Sequence, residues 1–422
     1  MSAVGDPVLE TGPQPPAGPL RKNRDFLLLW LGAGISVLGD RAATVSFPLL
    51  MLWYGSPAQA GLVSFAGLLP MLLVQLPAGV VVDRLDRRKT MIACDVAGLL
   101  AMASVAVALF HGTLWLPHML AVAFVEGAAA IFYRLSERAA VANVVAPGQV
   151  SSALSQNEAR ARAAGLLGQP LGTGIYGLAR WAPFVLAAAG HLVALVGLLF
   201  IRRKFQAERR DTPWRIGAEL AEGFGWLLRQ RFLRAAICLV AVTNILFTAL
   251  SLAVVLIIKE GGGSPASVGL IGLFSGTGGI VGALSGSYFV RRMHPGSVML
   301  SIFAIWAVLM PMITLTSSVW VLAALFVGSS FAGAVLNVLA GVYQVQVTPD
   351  GMQGRVGAVS GLLSSGASSL GALAGGYALG AYGTTATVLG VGAVMVATLV
   401  VAALIPAVRG ARRPKDPGVT GI

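Results

Sequence analysis

Charged and amide side chains interrupt several long apolar segments of this sequence, where a polar group is seldom found without a role. Asp40 lies within an apolar run at 26–54, and Glu126 lies in Phe-Val-Glu-Gly-Ala inside another run. A charge at the centre of a bilayer costs at least about 2.5 kcal/mol on insertion scales. We therefore predict that Asp40 or Glu126 is the carboxyl group that takes up and releases a proton. Three further polar residues in apolar runs are candidates for a substrate cavity: Arg41, Asn244 and Asn337.

Such a carboxyl group can act as a switch. Removal from water favours the protonated form of a carboxyl group, whereas a nearby Arg favours the carboxylate. A change in water access can then move a proton on or off. The alternative is a static ion pair, for example between Glu126 and Arg41, that only holds two helices together. The sequence leaves both interpretations open.

The composition indicates which elements must position these residues. Of the 422 residues, 56% are hydrophobic and only 11% are charged, whereas soluble domains carry about 25% charged residues. This excludes a disordered chain, a small disulfide scaffold and almost any water-soluble enzyme. A membrane-spanning helix needs about 20 apolar residues, and runs of that length predict helices rather than short barrel strands. The sequence contains twelve such runs: 26–54, 58–82, 90–110, 115–133, 150–178, 182–201, 233–258, 265–290, 296–315, 319–342, 355–380 and 384–408.

The basic residues indicate how the chain is oriented. Lys and Arg number 30 against 17 Asp and Glu, which gives a net charge of +13. They cluster in every second gap between apolar runs, and the intervening gaps hold only Arg180 and Lys259. This alternation is the positive-inside pattern. We therefore expect a multi-pass protein of a bacterial-type plasma membrane, with both termini in the cytoplasm and no nucleic-acid partner.

The two halves of the sequence resemble each other. Three glycines in the first half match three in the second at a constant offset of 203: Gly168 with Gly371, Gly172 with Gly375, and Gly177 with Gly380. An even number of helices per half makes the repeats parallel, related by an axis along the membrane normal. The sequence predicts an all-α membrane protein with twelve transmembrane helices in two six-helix bundles of pseudo-two-fold symmetry. The predicted divisions are a disordered tail at 1–20, the N-terminal bundle at 21–202, a linker with an amphipathic helix at 203–232, the C-terminal bundle at 233–408 and a second tail at 409–422.

The segment between the second and third helices carries the most specific motif. It reads Gly79-Val-Val-Val-Asp83-Arg84-Leu85-Asp86-Arg87-Arg88. It resembles the loop signature of the major facilitator superfamily, G-x-x-x-D-R-x-G-R-R, with Asp86 where Gly is usual. The resemblance implies a cytoplasmic latch that holds the two bundles in the outward-facing state. The predicted latch consists of Gly79, Asp83, Arg84, Arg87, Arg88, Asp95, Arg134 and Arg138. Alternatively, these charges only set the topology.

Together with the duplication and the twelve runs, this motif makes residues 24–408 resemble the superfamily throughout. The resemblance implies the major facilitator fold and transport by alternating access, in which the first, fourth, seventh and tenth helices line a central cavity. Asp40, Glu126, Asn244 and Asn337 lie one in each of these helices. Three short motifs further resemble the bacterial exporters that include enterobactin-type siderophore and macrolide efflux proteins: Gly39-Asp40-Arg41, the Asp-Arg-Leu-Asp-Arg-Arg loop and Gly354-Arg355-Val356.

The fifth helix carries a second motif. It reads Gly168-Gln169-Pro170-Leu171-Gly172-Thr173-Gly174 and resembles the antiporter motif G-P-x-x-G-G, with Gln169 and Thr173 in place of two glycines. The resemblance implies exchange of substrate for a proton. Small residues and a Pro also favour a close-packed, bendable helix. The candidates here are Gly168, Pro170, Gly172 and Gly174.

Patterns typical of enzymes and cofactor sites are absent from the sequence. There is no G-x-x-x-x-G-K-[ST], no H-E-x-x-H and no G-x-S-x-G. The four His residues are scattered along the chain and predict no metal site: His111, His118, His191 and His294. We therefore predict a monomeric transporter without a cofactor, and not an enzyme.

The function that we predict is proton-coupled efflux of a hydrophobic or amphipathic small organic molecule, such as a drug, an antibiotic or a siderophore-like compound. A large apolar and weakly charged cavity favours such a substrate, and protons and the lipid bilayer are the other expected partners. An uptake permease for a small metabolite is an alternative with the same fold. A membrane-embedded receptor or enzyme without transport is an alternative of another class, and its catalytic set is missing from the apolar runs.

Overall fold

The regular elements of this chain are helices wherever its structure is described. The structure is a computed structural model, and it describes residues 19–201, 205 and 216–411. The predicted tails at 1–20 and 409–422 lie mostly outside the described residues, and so does the first part of the predicted linker at 203–232. In the described part, helices follow one another with short connections.

The first half of the chain contains seven helices in its described residues: α1 Arg24–Tyr54, α2 Pro57–Leu73, α3 Gln75–Arg84, α4 Arg87–Phe110, α5 Leu116–Val144, α6 Val150–Leu178 and α7 Ala182–Phe200. The second half contains seven more: α8 Ile216–Arg229, α9 Arg231–Glu260, α10 Pro265–Arg292, α11 Pro295–Met312, α12 Val319–Val347, α13 Gln353–Leu404 and α14 Pro406–Arg409.

Nine helices of the described residues are long and apolar enough to cross a membrane. Three features make the number of passes consistent with the predicted twelve. α2 and α3 form one pass that breaks at Val74, and α6 crosses with Glu158, Arg160 and Arg162 near its start. α13 contains two passes, because it breaks at Gly383, whose φ of +78° lies in the left-handed region that favours Gly. The prediction of an all-α membrane protein is confirmed.

The helices pack as two groups that correspond to the two halves of the chain. In the first group, α1 packs against α6 and α7, and α4 packs against α5 and α7. In the second group, α10 packs against α12, and α13 packs against α9 and α11. The two most extensive contacts between the groups are those of α2 with α13 and of α6 with α10, and α9 also touches α1 and α2. The two extensive contacts join the second pass to the eleventh and the fifth to the eighth, as a two-fold axis between the bundles requires.

Glycine lets the two bundles touch near the membrane face away from the chain termini. Gly61 on α2 lies against Gly376 on α13, and a Cβ atom on Gly61 would lie 2.7 Å from the Cα of Gly376. Gly269, near the start of α10, approaches α6 equally closely, since its Cβ would lie 2.9 Å from the Cα of Pro170. Any larger residue would push the helices apart. The contact between the bundles at this face therefore depends on residues without side chains.

The helix α8 lies within the predicted linker and is tied to the C-terminal bundle. The Oε2 of Glu222 accepts a hydrogen bond of 2.6 Å from the Nη1 of Arg355, at the start of α13. Leu227 is buried, whereas Phe224 and Leu228 are exposed. The exposed side of α8 therefore carries the apolar residues Phe224 and Leu228 beside the charged Glu222 and Arg229, a mixture that suits a helix at a membrane surface.

Candidate functional site

The two predicted proton-coupling residues converge on one imidazole ring. Asp40 extends from α1, Glu126 from α5 and His191 from α7. The Nε2 of His191 lies 3.1 Å from the Oδ1 of Asp40 and 3.4 Å from the Oε1 of Glu126. The two acids, which the sequence presents as separate candidates, therefore belong to a single site.

A third carboxyl group holds the other nitrogen of this ring. The Nδ1 of His191 forms a hydrogen bond of 3.1 Å with the Oδ1 of Asp95, on α4, and lies 3.2 Å from the Oγ of Ser36, on α1. Asp95 is fully buried. We call Asp40, Asp95, Glu126 and His191 the acid–imidazole cluster.

Small residues fix the position of the ring. Gly98 lies one turn after Asp95 on α4, and a Cβ atom at this position would overlap the imidazole of His191. On the other side, α1 and α7 approach closely, because a Cβ on Gly39 would lie only 2.7 Å from the Cα of Ala187. The ring therefore fills the space that Gly98 leaves open, and a larger residue at 98 would displace it.

The burial of the cluster sets its charge. The exposed fraction of the side chain is 0% for Asp95, 6% for His191, 7% for Glu126 and 18% for Asp40. Full ionisation would place three negative charges around one positive charge in a site that water hardly enters. Buried charges need partners of opposite sign. The cluster must therefore hold protons or another cation.

Several atoms of the cluster lack a well-directed hydrogen bond among the described residues. They are the Oδ1 of Asp40, the Oδ2 of Asp95, both carboxyl oxygens of Glu126 and the Nε2 of His191. A buried polar atom without a partner costs about 1–3 kcal/mol, and a proton carried by one of the acids would supply the missing donor. The ligand atoms of Asp40, Glu126 and His191 lie within 4.8 Å of one another, so the three groups could also surround a single cation.

A second buried ion pair lies in the same bundle. The Nη2 of Arg160, on α6, lies 2.7 Å from the Oε1 of Glu137, on α5. Asn157 donates a hydrogen bond of 3.2 Å to the same oxygen, and the Nη1 of Arg160 donates to the backbone oxygen of Trp30 at 2.9 Å. This pair is neutral as a whole and links three helices, which is a structural role.

The predicted cavity residues have different surroundings. Arg41 is exposed, and Asn337 on α12 is exposed as well. Asn244 on α9 is half-buried, because its Nδ2 donates a hydrogen bond of 2.7 Å to the backbone oxygen of Ser364. The partner of Glu126 in the structure is His191. Two of the three polar candidates are thus accessible, and the third joins α9 to α13.

Asp86, the residue that differs from the usual loop signature, caps the helix that follows the loop. The side chain of Asp86, which stands where Gly is usual, accepts a hydrogen bond of 2.9 Å from the backbone N–H of Arg88 and so caps the start of α4. The Nη1 of Arg87 donates to the backbone oxygen of Ala139 at 3.1 Å. The Nη2 of Arg88 donates to the backbone oxygen of Leu198 at 2.7 Å. These arginines therefore bind within the N-terminal bundle, at the carboxyl ends of α5 and α7, where cations are favoured.

The other members of the predicted latch are spread over three helices. Gly79 and Arg84 lie on α3, and the side chain of Asp83, also on α3, is outside the described residues. Arg134 and Arg138 are exposed on α5. Asp95 lies apart from this set, since its side chain contacts His191 in the acid–imidazole cluster.

The motif of the fifth helix has two faces. Towards α1, a Cβ atom on Gly172 would overlap the backbone of Ala42, and Gly168 likewise meets the side chain of Arg41. Towards α10, the side chains of Gln169 and Thr173 fill the positions opposite Gly272 and Gly269. Gly174 has open space around it. Gly168 and Gly172, which match the antiporter motif, therefore pack within the N-terminal bundle. Gln169 and Thr173, which replace glycines of that motif, face the C-terminal bundle.

The sequence analysis missed His191 as a site residue. Its hydrogen-bonding partners Asp95 and Ser36 lie 96 and 155 residues away in the chain. An imidazole in an apolar run is the only local signal. It becomes informative once Asp40 and Glu126, in other passes, are known to need a positive partner.

Comparison with known proteins agrees with this fold. The sequence model of the Major Facilitator Superfamily matches residues 29–295. Multidrug efflux pump Tap of Mycolicibacterium fortuitum is 26% identical to this chain over 410 residues, which cover 92% of this chain and 97% of Tap.

Solved structures of transporters share the architecture. Nucleoside transporter NupG superposes with a TM-score of 0.71 at 13% identity, covering 91% of this chain and 99% of NupG. A bacterial homologue of the human lysosomal transporter Spinster, in an inward-facing conformation, superposes with a TM-score of 0.69 at 14% identity, covering 94% of this chain and all of that one. A bacterial homologue of the iron transporter ferroportin gives 0.67 at 16% identity and covers 90% of this chain and 100% of that chain. At these identities the likeness shows the fold alone.

Proposed function

Because the chain belongs to the major facilitator superfamily, we propose that it exports a hydrophobic or amphipathic small organic molecule in exchange for protons. The chain is a multi-pass membrane transporter, and the proposal concerns its cargo, its direction and its coupling ion. Transport by alternating access requires that the central site opens to one side of the membrane at a time.

The acid–imidazole cluster is the observation that carries the proposal. Asp40 and Glu126 lie against one imidazole in the middle of the N-terminal bundle, and Asp40 is the most accessible of the cluster's acids. Intramembrane acids in pumps and transporters are typical of proton pathways. A carboxyl group that is dry in one conformation and wet in the other binds a proton from one side and releases it to the other.

The C-terminal bundle supports an apolar cargo. Phe247 follows Asp40 by 207 positions, within the offsets that relate the two halves. It packs edge-on against Trp306, with ring centroids 4.8 Å apart, and Trp306 donates a hydrogen bond of 3.0 Å to the backbone oxygen of Ser329. Trp306 is buried, so it supports the ring of Phe247 from behind. Where the first half has the acid Asp40, the second half therefore has an aromatic ring, which favours an apolar or amphipathic organic molecule. The name of the related Tap is that of an efflux pump, which supports export.

The contacts between the bundles suggest how the cycle proceeds. At the face away from the termini, Gly61 meets Gly376, and the Nζ of Lys259 donates a hydrogen bond of 2.5 Å to the backbone oxygen of Leu52. Both contacts must separate when the cavity opens to that face. The positive-inside pattern makes that face the periplasmic one. We further propose that the loop at 79–88, with Arg134 and Arg138, then latches the cytoplasmic side.

The test uses the purified protein in proteoliposomes, with ethidium as an amphipathic aromatic probe. An acidic lumen drives ethidium inwards if protons and probe move in opposite directions, whatever the orientation of the protein. An uptake permease that carries its substrate together with protons accumulates the probe only when the lumen is alkaline. Ethidium counterflow without a pH gradient measures exchange that needs no net proton movement.

The variants Asp40→Asn and Glu126→Gln are expected to lose pH-driven accumulation and to keep counterflow at saturating ethidium, because each removes one proton-binding group. The initial rate of pH-driven ethidium uptake is expected to fall by at least about 100-fold, the lower range for the rate effect of a positioned acid or base. Glu158→Gln is the matched control, since Glu158 pairs with Arg162 on the surface at 2.7 Å. Wild-type accumulation by both cluster variants would refute the proton-coupling role of these acids.

A further inference from the structure

His191 is the only member of the acid–imidazole cluster that contacts the other three. Its Nε2 faces Asp40 and Glu126, and its Nδ1 faces Asp95. We propose that His191, held by Asp95, is itself a proton-coupling residue, and that it restricts the cluster to the exchange of one proton per transport cycle. This inference rests on the proposed function and adds two residues and a stoichiometry to it.

The pair of His191 and Asp95 is the fixed part of the cluster. The Oδ1 of Asp95 lies 3.1 Å from Nδ1, and Asp95 is fully buried on α4. A carboxylate at this distance holds the proton on Nδ1 and orients the ring, leaving Nε2 directed at the other acids. Gly98 provides the space for this orientation. An imidazolium paired with one carboxylate is neutral, so the pair can stay buried through the cycle.

The limit of one proton per cycle follows from the number of hydrogens on the Nε2 of His191. This nitrogen carries one hydrogen, and two acids lie within reach of it, at 3.1 Å for Asp40 and 3.4 Å for Glu126. One N–H bond is directed at one oxygen only. The acid that does not receive this hydrogen bond lacks a positive partner, and it therefore keeps its own proton. His191 thus allows one of the two acids to ionise at a time.

The surroundings supply no second positive partner among the described residues that face the cluster. α1 contributes Asp40, α4 contributes Asp95 and α5 contributes Glu126. The next ionisable groups outward are Cys94 and Tyr133, which carry no positive charge, and the Glu137–Arg160 pair, in which the arginine is already matched. The net charge of the cluster is therefore set by its own protons.

Counting charges gives the stoichiometry. With His191 protonated, Asp95 ionised and both remaining acids protonated, the cluster is neutral. Loss of one proton from Asp40 or Glu126 gives one negative charge, which the N–H of Nε2 stabilises. Loss of a second proton would place two carboxylates against one hydrogen, and two like charges at such a distance do not ionise together. The O–H bond broken in each cycle releases one proton to water, and one proton re-forms that bond from the other side.

The difference in exposure indicates the route. The side chain of Asp40 is 18% exposed and that of Glu126 is 7% exposed. Water therefore reaches Asp40 first, and Glu126 exchanges its proton by way of His191, whose Nε2 lies 3.4 Å from its Oε1. The imidazole connects an outer acid to an inner acid within one bundle.

The experiment measures how far ethidium accumulates at equilibrium against the pH gradient, with the membrane potential held at zero by valinomycin and equal potassium. One proton per ethidium gives about a tenfold higher accumulation for each pH unit, and two protons give about a hundredfold. EDTA is present throughout, so that contaminating metal ions do not occupy the carboxylates. We expect about a tenfold step in the wild type.

The variants separate coupling from folding. His191→Asn and Asp95→Asn are expected to lose the dependence of accumulation on the pH gradient and to keep ethidium counterflow. A general packing defect would instead remove both accumulation and counterflow. His118→Asn is the matched control, since His118 is half-buried on α5 and its Nε2 lies 2.8 Å from the Oγ of the exposed Ser104. If His191→Asn does not fold, Asp95→Asn and the wild-type slope still decide the matter.

Each outcome is decisive. A hundredfold step in the wild type, or wild-type slopes in both His191→Asn and Asp95→Asn, would overturn this inference. If these two variants behave like the wild type while Asp40→Asn and Glu126→Gln lose accumulation, the proposed function stands and the role of His191 does not. If no pH gradient of either sign drives ethidium, both fail. If, in a parallel assay without EDTA, accumulation follows an added divalent metal gradient instead of pH, the cluster is a metal site and the inference is overturned.

Discussion

The substitution Gly98→Ala tests whether the position of the imidazole controls coupling. It adds one methyl group to α4 beside His191 and leaves every ionisable group of the cluster in place. The added Cβ would lie 2.5 Å from the Cε1 and 2.8 Å from the Cδ2 of the ring. The ring must therefore move by about 1 Å to reach an ordinary contact distance.

The size of the effect differs for stability and for coupling. Overpacking costs about 1–3 kcal/mol, while replacing Gly by Ala inside a helix returns up to about 1 kcal/mol. The net loss of stability is thus about 0–3 kcal/mol, and the protein is expected to fold. A displacement of about 1 Å at a reacting group costs on the order of 100-fold in rate. The distances from Nε2 to Asp40 and Glu126 change by that amount, so coupling is expected to fail while the fold survives.

Three measurements separate these effects: thermal unfolding of the purified protein, pH-driven accumulation of ethidium in proteoliposomes, and ethidium counterflow. We expect a small change in unfolding temperature, loss of accumulation and retention of counterflow. Gly165→Ala is the control, because the space around this glycine on α6 is empty within 4 Å. Wild-type accumulation in Gly98→Ala, or an equal loss of accumulation and counterflow, would refute the reasoning.

Two further predictions concern the bundle contact and the second ion pair. Gly376→Val would overlap the backbone of α2, so we expect a protein that is held open at the face away from the termini. With the two native cysteines replaced, a maleimide should label Ala58→Cys faster in the Gly376→Val protein than in the protein with Gly376. An unchanged labelling rate would contradict the assignment of this contact. Glu137→Gln leaves the charge of Arg160 buried without its partner and should destabilise the protein by about 3–5 kcal/mol. Glu158→Gln, in an exposed pair, should cost less than about 1 kcal/mol, and equal changes in unfolding temperature would argue against this difference.

Much of the fold follows from the distribution of apolar residues. The predicted run at 182–201 coincides with α7, Ala182–Phe200, and the run at 265–290 with α10, Pro265–Arg292. These boundaries are predictable because Pro begins a helix well and charged residues end an apolar run. The break at Gly383 falls in the predicted gap between the runs at 355–380 and 384–408. The break at Val74 was not predicted, since it lies inside the predicted run at 58–82. Glycine at 383 adopts a left-handed φ of +78°, which suits a break between two passes.

The candidate site was predictable in part. Asp40 and Glu126 stand out because a carboxyl group in an apolar run is costly wherever it points. His191 does not, since its partners come from other passes. Asp95 looked like part of the loop network because it follows that loop closely in the sequence. At 1.5 Å per residue, however, the eight residues after Arg87 carry it about 12 Å along α4 and away from the loop, where its side chain meets His191.

The location of the cluster constrains how coupling can work. Its four side chains come from α1, α4, α5 and α7, which pack within one bundle. A rocking motion moves the bundles as bodies, so it does not pull Asp40 or Glu126 away from His191. In the proposed mechanism, what changes is the access of water to Asp40, the most exposed member. If coupling depends on the access of water to Asp40 and not on assembly of the cluster, the His191–Asp95 hydrogen bond must have the same length in the inward-open and outward-open states. A structure of the state held open by Gly376→Val with this bond broken would show that the cluster takes part in the motion itself.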